Sequence, residues 1–168
     1  MARNYGVKVH SYNISREQLA YAREEAHKQG LDHLVEYVED DYRNISGQYD
    51  AFVSIGMLEH VGKENYEAMS ELIKRSLKPD GIALLHSIGR NRPMLMNAWL
   101  EKRIFPGAYP TSISEFMGIC EHSDFSVLDV ENLRLHYAQT LTHWMERYRS
   151  NIDKVTEKHQ AHATNQTR

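Results

Sequence analysis

The chain has 168 residues, which is enough for one domain with its own hydrophobic core. An apolar fraction of 41% and a charged fraction of 26% are typical of a water-soluble protein, and the net charge of -3 gives no reason to expect binding to nucleic acid. A single cysteine excludes an internal disulfide framework, and the first residues lack the apolar core of a signal peptide, so we expect a cytoplasmic location.

The first predicted elements are a strand and a helix. Residues 6–14 alternate in polarity and are rich in Val and Tyr, which predicts a strand. The following helix has Ser15 and Gln18 as a capping box at its start and Gly30 as its stop. A strand that feeds directly into a helix is typical of an α/β fold.

Three more strands and a second helix continue this alternation. The predicted strands are 34–39, 50–57 and 82–88, and the helix is 64–78, with apolar residues at helical spacing. Pro79 and Gly81 end that helix and turn the chain into the fourth strand. The pattern predicts a parallel sheet with right-handed crossovers.

The alternation changes after Gly89. Residues 90–110 contain two proline breaks and several aromatic residues, which is typical of a lid or a specificity insertion. A helix at 112–123, a strand at 125–133 and a long amphipathic helix at 137–159 are predicted next. We assign residues 1–160 to one domain and residues 161–168 to a disordered tail.

Two polar residues follow strands of the predicted sheet. Glu59 comes shortly after the third strand and His86 lies at the end of the fourth. Ligands of open parallel sheets bind outside the carboxyl ends of the strands, so the two side chains could orient a small ligand or a base. The alternative is structural, with Glu59 capping the next helix and His86 satisfied within the core.

Polar residues also follow the first two strands. An adenosine ligand needs a flat partner for its base and polar groups for its ribose and amine. Tyr42 and Asp41 suit the adenine, and Asn13 and Gln18 suit the ribose or an amino-acid end. The alternative is that all four are loop and capping residues.

Several stretches together resemble a known family. "YDAFVSIGMLEHVG", "SLKPDGIALLHSIG", "IFPGAYPTS" and "LHYAQTLTHWMERY" occur in this order. They look like the cyclopropane-fatty-acyl-phospholipid synthases and their relatives, the mycolic acid methyltransferases, and the resemblance covers residues 3 to 158. It implies a doubly wound, Rossmann-like methyltransferase sheet.

The resemblance also implies a reaction and its residues. The family transfers a methylene group from S-adenosyl-L-methionine to the cis double bond of an unsaturated phospholipid acyl chain. Bicarbonate acts as the base, and a carbocation formed on the way must be shielded from water. By the match, the catalytic residues would be Glu59, His86, the backbone of Ile88, His60 and Tyr137. The cofactor would lie along Asn13, Ile14, Gln18, Asp41, Tyr42 and Arg43.

The substrate implied by the resemblance lies at a membrane surface, so we expect peripheral membrane contact. Trp99, Lys102, Arg103 and Phe105 form a small candidate contact patch. The alternative is that they form a solvated helix face.

The sequence departs from the family at three places. A glycine-rich loop of the "ExGCGWG" type, an upstream cysteine and a "YYL" segment are not found in these 168 residues. We therefore expect an incomplete sheet without its first, central strand, in which 6–14 pairs with 34–39, 50–57 pairs with 81–88, and both pairs have open edges. This predicts a homo-oligomer or pairing with a chain that supplies the strand.

Two other functions stay open: a methyltransferase with a different acceptor, and a non-catalytic remnant that binds a partner.

Overall fold

A computed structural model describes the backbone of residues 1–165 and the side chains of residues 1–158. The chain forms two compact units, of which the first is Met1–Ser126 and the second begins at Val127.

The first unit alternates strands and helices, as the sequence predicts. Its first half contains α1 (Ala2–Tyr5), β1 (Val9–Asn13), α2 (Arg16–Lys28), β2 (Val35–Glu39) and β3 (Tyr49–Ile55). Its second half contains α3 (Leu58–Val61), α4 (Tyr66–Ser76), β4 (Leu77–His86), β5 (Gly89–Arg90), α5 (Ala98–Arg103), β6 (Thr111–Ser112) and α6 (Ile113–His122).

The strands form three separate parallel pairs. β1 pairs with β2, β3 pairs with β4, and the short β5 pairs with β6. In the part of the chain that the structure describes, no strand lies hydrogen-bonded between β1 and β3. The expected incomplete doubly wound sheet is therefore confirmed, together with an open edge on each of these two strands.

Local sequence explains how α2 begins and ends. The Ser15 hydroxyl accepts a hydrogen bond from the Gln18 backbone N–H at 3.3 Å. The Gln18 side chain does not complete the predicted capping box, because its Oε1 accepts from Nδ2 of Asn13 at 2.8 Å. Gly30 follows the helix with a φ of 66°, a left-handed conformation that glycine adopts without strain.

The core of the first unit lies between the β3–β4 pair and helices α4 and α6. Met69, Leu72 and Ile73 of α4 are almost fully buried and share one cluster with Phe52 of β3 and Ile119 of α6. Burial of such apolar surface is the main stabilising contribution to folding.

The opposite face of the β3–β4 pair is uncovered. The exposed apolar side chains there are Val53, Ile55, Ile82 and Leu84. Parallel sheets are usually covered on both faces, so this surface is built for a neighbour that the described residues do not supply.

Three predicted element boundaries are wrong. β4 already begins at Leu77, and the stretch from Lys78 to Gly81 lies within it as an irregularity opposite β3. Residues 125–133 form no strand, because an apolar β-branched pattern becomes a strand only beside a partner with free backbone groups, and none pairs with them here. The helix predicted for 137–159 is divided at Asn151 into α7 (Arg134–Ser150) and α8 (Ile152–Asn165).

The second unit consists of residues 127–133 without regular structure, followed by α7 and α8. The backbone of α8 includes residues 161–165, which belong to the predicted disordered tail, and residues 166–168 lie outside the described residues. The domain boundary at residue 160 stays a prediction. None of the helices that the structure describes is long and apolar enough to cross a bilayer.

Candidate functional site

Glu59 is buried at the turn between β3 and α4. It lies in α3, one short turn after the carboxyl end of β3, and only 6% of the residue is exposed. Its Oε1 accepts a hydrogen bond from the backbone N–H of Ile88 at 2.6 Å. Its Oε2 is buried and has no hydrogen-bond partner in the protein. A buried carboxylate oxygen without a donor is costly, which indicates a place for a ligand that donates a hydrogen bond.

A cavity of about 150 Å³ lies beside Glu59. Its lining residues are Gly56, Glu59, His60, Ile88, Phe105 and Ala108. The structure therefore brings together three of the five predicted catalytic residues: Glu59, His60 and Ile88.

His86 ends β4 at the same edge of the sheet. Its carbonyl oxygen accepts a hydrogen bond from the Gly56 N–H at 2.9 Å, while the residue itself is exposed. Its backbone thus joins the ends of β3 and β4. A catalytic role for its imidazole stays a prediction.

Tyr137 lies in the second unit, on α7, and is partly exposed. Its predicted role at the lipid end of the site stays a prediction.

The segment between α5 and β6 forms a wall of the cavity, which we call the 105–109 wall. Phe105 and Ala108 line the cavity, and the Tyr109 N–H donates to the backbone carbonyl of Glu59 at 2.7 Å. Gly107 between them has a φ of 72°, a turn that returns the chain towards Glu59. This wall connects the predicted lid segment to Glu59 through the backbone.

Glu115 fixes the far end of this wall. Its Oε1 accepts from Lys63 Nζ at 2.7 Å and from the Tyr109 hydroxyl at 2.8 Å, and its Oε2 accepts from the Ser112 N–H at 3.0 Å and the Ser112 hydroxyl at 2.8 Å. These donors, Lys63 first, lower the pKa of Glu115 to about 2. The carboxylate is therefore ionised at any pH near neutrality.

The first three residues predicted to lie along the cofactor, Asn13, Ile14 and Gln18, are found at the end of β1 and the start of α2. Asn13 is the last residue of β1, and its Oδ1 accepts from the Ser15 N–H at 2.8 Å while its Nδ2 donates to Gln18. Ile14 follows with 77% of its surface exposed. An exposed apolar side chain between two ordered polar groups can contact a ligand that is both flat and polar.

The residues predicted to lie near the adenine follow β2. Arg43 donates to Asp41 through its backbone N–H, Nε and Nη2, and these bonds lower the pKa of Asp41 to about 2. The Arg43 guanidinium carbon lies 6.0 Å from the centre of the Tyr42 ring. Tyr42 packs against the core, and its burial raises the pKa of its hydroxyl. Asp41, Tyr42 and Arg43 thus form one ordered group.

A second cavity, of about 500 Å³, lies beside β1, β2 and the start of β3. It is lined by His10, Tyr12, Glu36, Val38, Ser46, Gly47, Gln48 and Tyr49. The rings of His10 and Tyr49 meet edge to face with centroids 5.4 Å apart. This cavity lies over one face of the β1–β2 pair, where His10 and Tyr12 stand opposite Glu36 and Val38, and it is bounded by the turn before β3.

Sequence reasoning missed the residues that form the 105–109 wall and its anchor. Lys63 lies 52 positions before Glu115 in the sequence, with Tyr109 between them, and no periodic pattern connects the three residues. The only available signal was the Pro106-Gly107 turn within the quoted "IFPGAYPTS" stretch.

Comparison with known proteins decides the family. The chain matches the family described as mycolic acid cyclopropane synthetase over residues 1–167. The chain belongs to this family.

Individual relatives support the same family assignment. The chain is 40% identical over 149 residues to the cyclopropane-fatty-acyl-phospholipid synthase of Escherichia coli K12, and the matched region covers 88% of this chain and 38% of that protein. It is 35% identical over 163 residues to a probable fatty acid methyltransferase of Pseudomonas putida, covering 92% of this chain and 41% of that protein.

Among solved structures, the mycolic acid cyclopropane synthase CmaA1, complexed with SAH and CTAB, superposes with a TM-score of 0.80 at 27% identity. The match covers 89% of this chain and 57% of that one. This likeness confirms the resemblance and the methyltransferase fold inferred from the sequence. The chain spans only about two fifths of the length of the two relatives named above.

Proposed function

We propose that this chain takes part in methylene transfer from S-adenosyl-L-methionine to the cis double bond of an unsaturated phospholipid acyl chain. The observation that carries this proposal is the buried Glu59, with one carboxylate oxygen held by Ile88 and the other unpaired beside a small cavity. Membership of the cyclopropane synthetase family supplies the reaction class.

Bicarbonate fits the Glu59 cavity by its donor and acceptor count. Its hydroxyl can donate to the unpaired Oε2 of Glu59, and about 150 Å³ accommodates an oxyanion of a few heavy atoms. When bound, it would supply the base that accepts the proton lost on ring closure. Glu59 orients it, Ile88 fixes Glu59, and Phe105 with Ala108 limits the access of water.

S-adenosyl-L-methionine fits the polar group after β1 and β2. Ile14 and Tyr42 offer apolar surface, and Asn13, Gln18 and Asp41 offer donors and acceptors for a ribose and an amine. The cofactor would supply the methylene carbon. The role of this chain's residues is to bind and orient its adenosine portion.

The lipid acceptor is reached from the cytoplasmic side by peripheral contact. Helix α5 exposes Trp99 and Leu100, and Phe105 is exposed just after it, next to the exposed cations Lys102 and Arg103. An apolar and basic surface of this kind favours an anionic membrane interface. The patch is continuous in sequence with the 105–109 wall, so it would lead lipid towards Glu59.

The open edges of β1 and β3 support pairing with a further strand. Each of these two strands has an edge without a hydrogen-bonded neighbour in the described residues, and an added parallel strand would pair with the free backbone groups there. The strand comes from another segment, from another chain or from a second copy in a homo-oligomer. Light scattering after size-exclusion chromatography distinguishes the last case from the other two.

The decisive experiment measures cyclopropane lipid in cells. The chain is expressed within its natural reading frame in a bacterium that makes unsaturated phospholipid but no cyclopropane lipid, and fatty acid methyl esters are analysed by gas chromatography. We expect Glu59→Gln to abolish the product, and Glu64→Gln, an exposed carboxylate on the next turn, to leave it unchanged. Equal product from Glu59→Gln and the unchanged protein would refute the site.

Calorimetry of the purified chain with S-adenosyl-L-methionine tests the cofactor separately. A micromolar binding signal that is lost in Asp41→Asn supports the cofactor site. A chain without binding and without product would instead favour the non-catalytic alternative.

A further inference from the structure

The hydroxyl and the backbone N–H of Tyr109 connect Glu115 to the backbone of Glu59. Lys63, Tyr109 and Ser112 all donate to the Glu115 carboxylate. Tyr109 then donates its own N–H to the Glu59 carbonyl at 2.7 Å. One carboxylate thus joins the turn after α3, the 105–109 wall and the start of α6.

The burial of Glu115 makes this junction rigid. Only 8% of its side chain is exposed, whereas the Lys63 side chain that reaches it is 60% exposed. Charge-assisted hydrogen bonds to a screened carboxylate are shorter and stronger than neutral ones. The Glu115 carboxylate accepts four hydrogen bonds at once, one from Lys63, one from Tyr109 and two from Ser112. A shift of Tyr109 or Ser112 would therefore leave donors unpaired near a fixed negative charge.

The wall contributes two of the six residues that line the Glu59 cavity, Phe105 and Ala108. Its N-terminal side continues from α5, whose apolar side chains are exposed. Its C-terminal side ends at Tyr109, whose hydroxyl donates to Glu115 and whose N–H donates to the carbonyl of Glu59. These two hydrogen bonds tie the C-terminal end of the wall to Glu59 and to Glu115.

We propose that Glu115 is a positioning residue that sets the closure of the Glu59 cavity through Tyr109. It does not touch the cavity. It holds the phenol of Tyr109, which aligns the Tyr109 N–H with the Glu59 carbonyl and places Phe105 and Ala108 over the cavity. The inference rests on the proposed function only for the identity of the ligand, because the geometry concerns the empty protein.

The test is residue-resolved amide hydrogen exchange by NMR on the purified chain. Tyr109→Phe removes only the hydroxyl that reaches Glu115 and keeps the ring and the N–H. Glu115→Gln removes the charge and retains the length of the side chain. Ser112→Ala is the matched control, because it removes the cap of α6 while Lys63 and Tyr109 still bind Oε1 of Glu115.

We expect Tyr109→Phe and Glu115→Gln to speed exchange of the residue-109 amide by about tenfold or more relative to the amides of Leu72 and Ile73. Ser112→Ala should speed exchange in the first turn of α6 and leave residue 109 unchanged. Normalising to the α4 amides removes any effect of lower global stability, and the milder Tyr109→Phe covers the case in which Glu115→Gln does not fold.

An unchanged relative exchange rate at residue 109 in Tyr109→Phe would overturn the proposal. An exchange rate at residue 109 that Ser112→Ala raises by the same factor would also overturn it, because Glu115 would then act only through the capping box of α6. Because exchange is measured without any ligand, either result stands apart from failure of the lipid or cofactor experiments.

Discussion

The backbone N–H of Ile88 donates a hydrogen bond of 2.6 Å to Oε1 of Glu59. The bond joins the segment after β4 to the turn after β3, so one backbone group orients the carboxylate, while Oε2 has no donor within the protein. The catalytic carboxylate of the proposed function is thus held by the sheet itself and not by another side chain.

Replacing Glu59 tests how much its hydrogen bond with Ile88 contributes to the stability of the fold. Glu59→Ala leaves the Ile88 N–H without its acceptor, and we expect the free energy of unfolding to fall by about 1–3 kcal/mol. Glu59→Gln keeps an acceptor oxygen in the same place, and we expect a loss below about 1 kcal/mol. Urea denaturation followed by circular dichroism measures both, and a larger loss in Glu59→Gln would contradict the role assigned to Ile88.

Truncation in the core tests the packing beneath the site. Leu72 is 1% exposed in the cluster shared by α4, α6 and β3, so Leu72→Ala should cost about 2–5 kcal/mol through lost burial and a cavity. Lys74→Ala on the exposed face of the same helix is the control, with a change within about 0.5 kcal/mol. Similar losses in the two variants would place the core elsewhere.

Acid should weaken the first unit through Glu115. Lys63, Ser112 and Tyr109 lower the pKa of Glu115 from an ordinary 4.5 to about 2, so the folded state binds this proton less readily than the unfolded state does. The resulting stability is fully present above the ordinary pKa of 4.5 and is lost as the pH falls towards 2. A pH series of urea denaturations should therefore show a steeper acid slope in the unchanged protein than in Glu115→Gln.

Asp41 has a lowered pKa for the same kind of reason, since Arg43 donates to it. The Asp41→Asn variant should retain the part of the slope that belongs to Glu115. Identical slopes in the unchanged protein and Glu115→Gln would show that Glu115 does not cause the loss of stability in acid.

The uncovered face of the β3–β4 pair should cause self-association. Ile82 and Leu84 are exposed there, and replacing both with Thr removes apolar surface without disturbing the buried face. We expect a larger monomer fraction by sedimentation velocity at an unchanged melting temperature. As a contrast, Phe52→Thr on the buried face of β3 should unfold the unit. If replacing Ile82 and Leu84 leaves the monomer fraction unchanged, the contact lies on another surface.

Much of the fold follows from local signals. The alternation of strands and helices predicts β1 to β4, α2 and α4, and the capping by Ser15 and the stop at Gly30 mark α2 almost to the residue. The open edges of β1 and β3 follow from the motifs that these residues lack. These features succeed because each depends on neighbours within a few positions of the chain.

The features that sequence could not give depend on distant partners. The stretch 125–133 has strand composition but no edge beside it, so its pattern has nothing to pair with. The contact between Lys63 and Glu115 joins two ordinary surface-type residues 52 positions apart, and only the folded chain brings them together. Glu59 stands between these cases: a motif locates it, but only the structure reveals which of its oxygens is unpaired.

The separation of the strand pairs also bears on cooperativity. In the residues described, no ladder of backbone hydrogen bonds joins β1–β2 to β3–β4, and the apolar cluster beneath α4 contains no residue of β1, α2 or β2. Residues 9–39 can therefore open as a unit of their own while the cluster around Leu72 stays intact. A single melting temperature would then average two transitions, and the predicted cofactor residues Asn13 and Gln18 would unfold separately from Glu59.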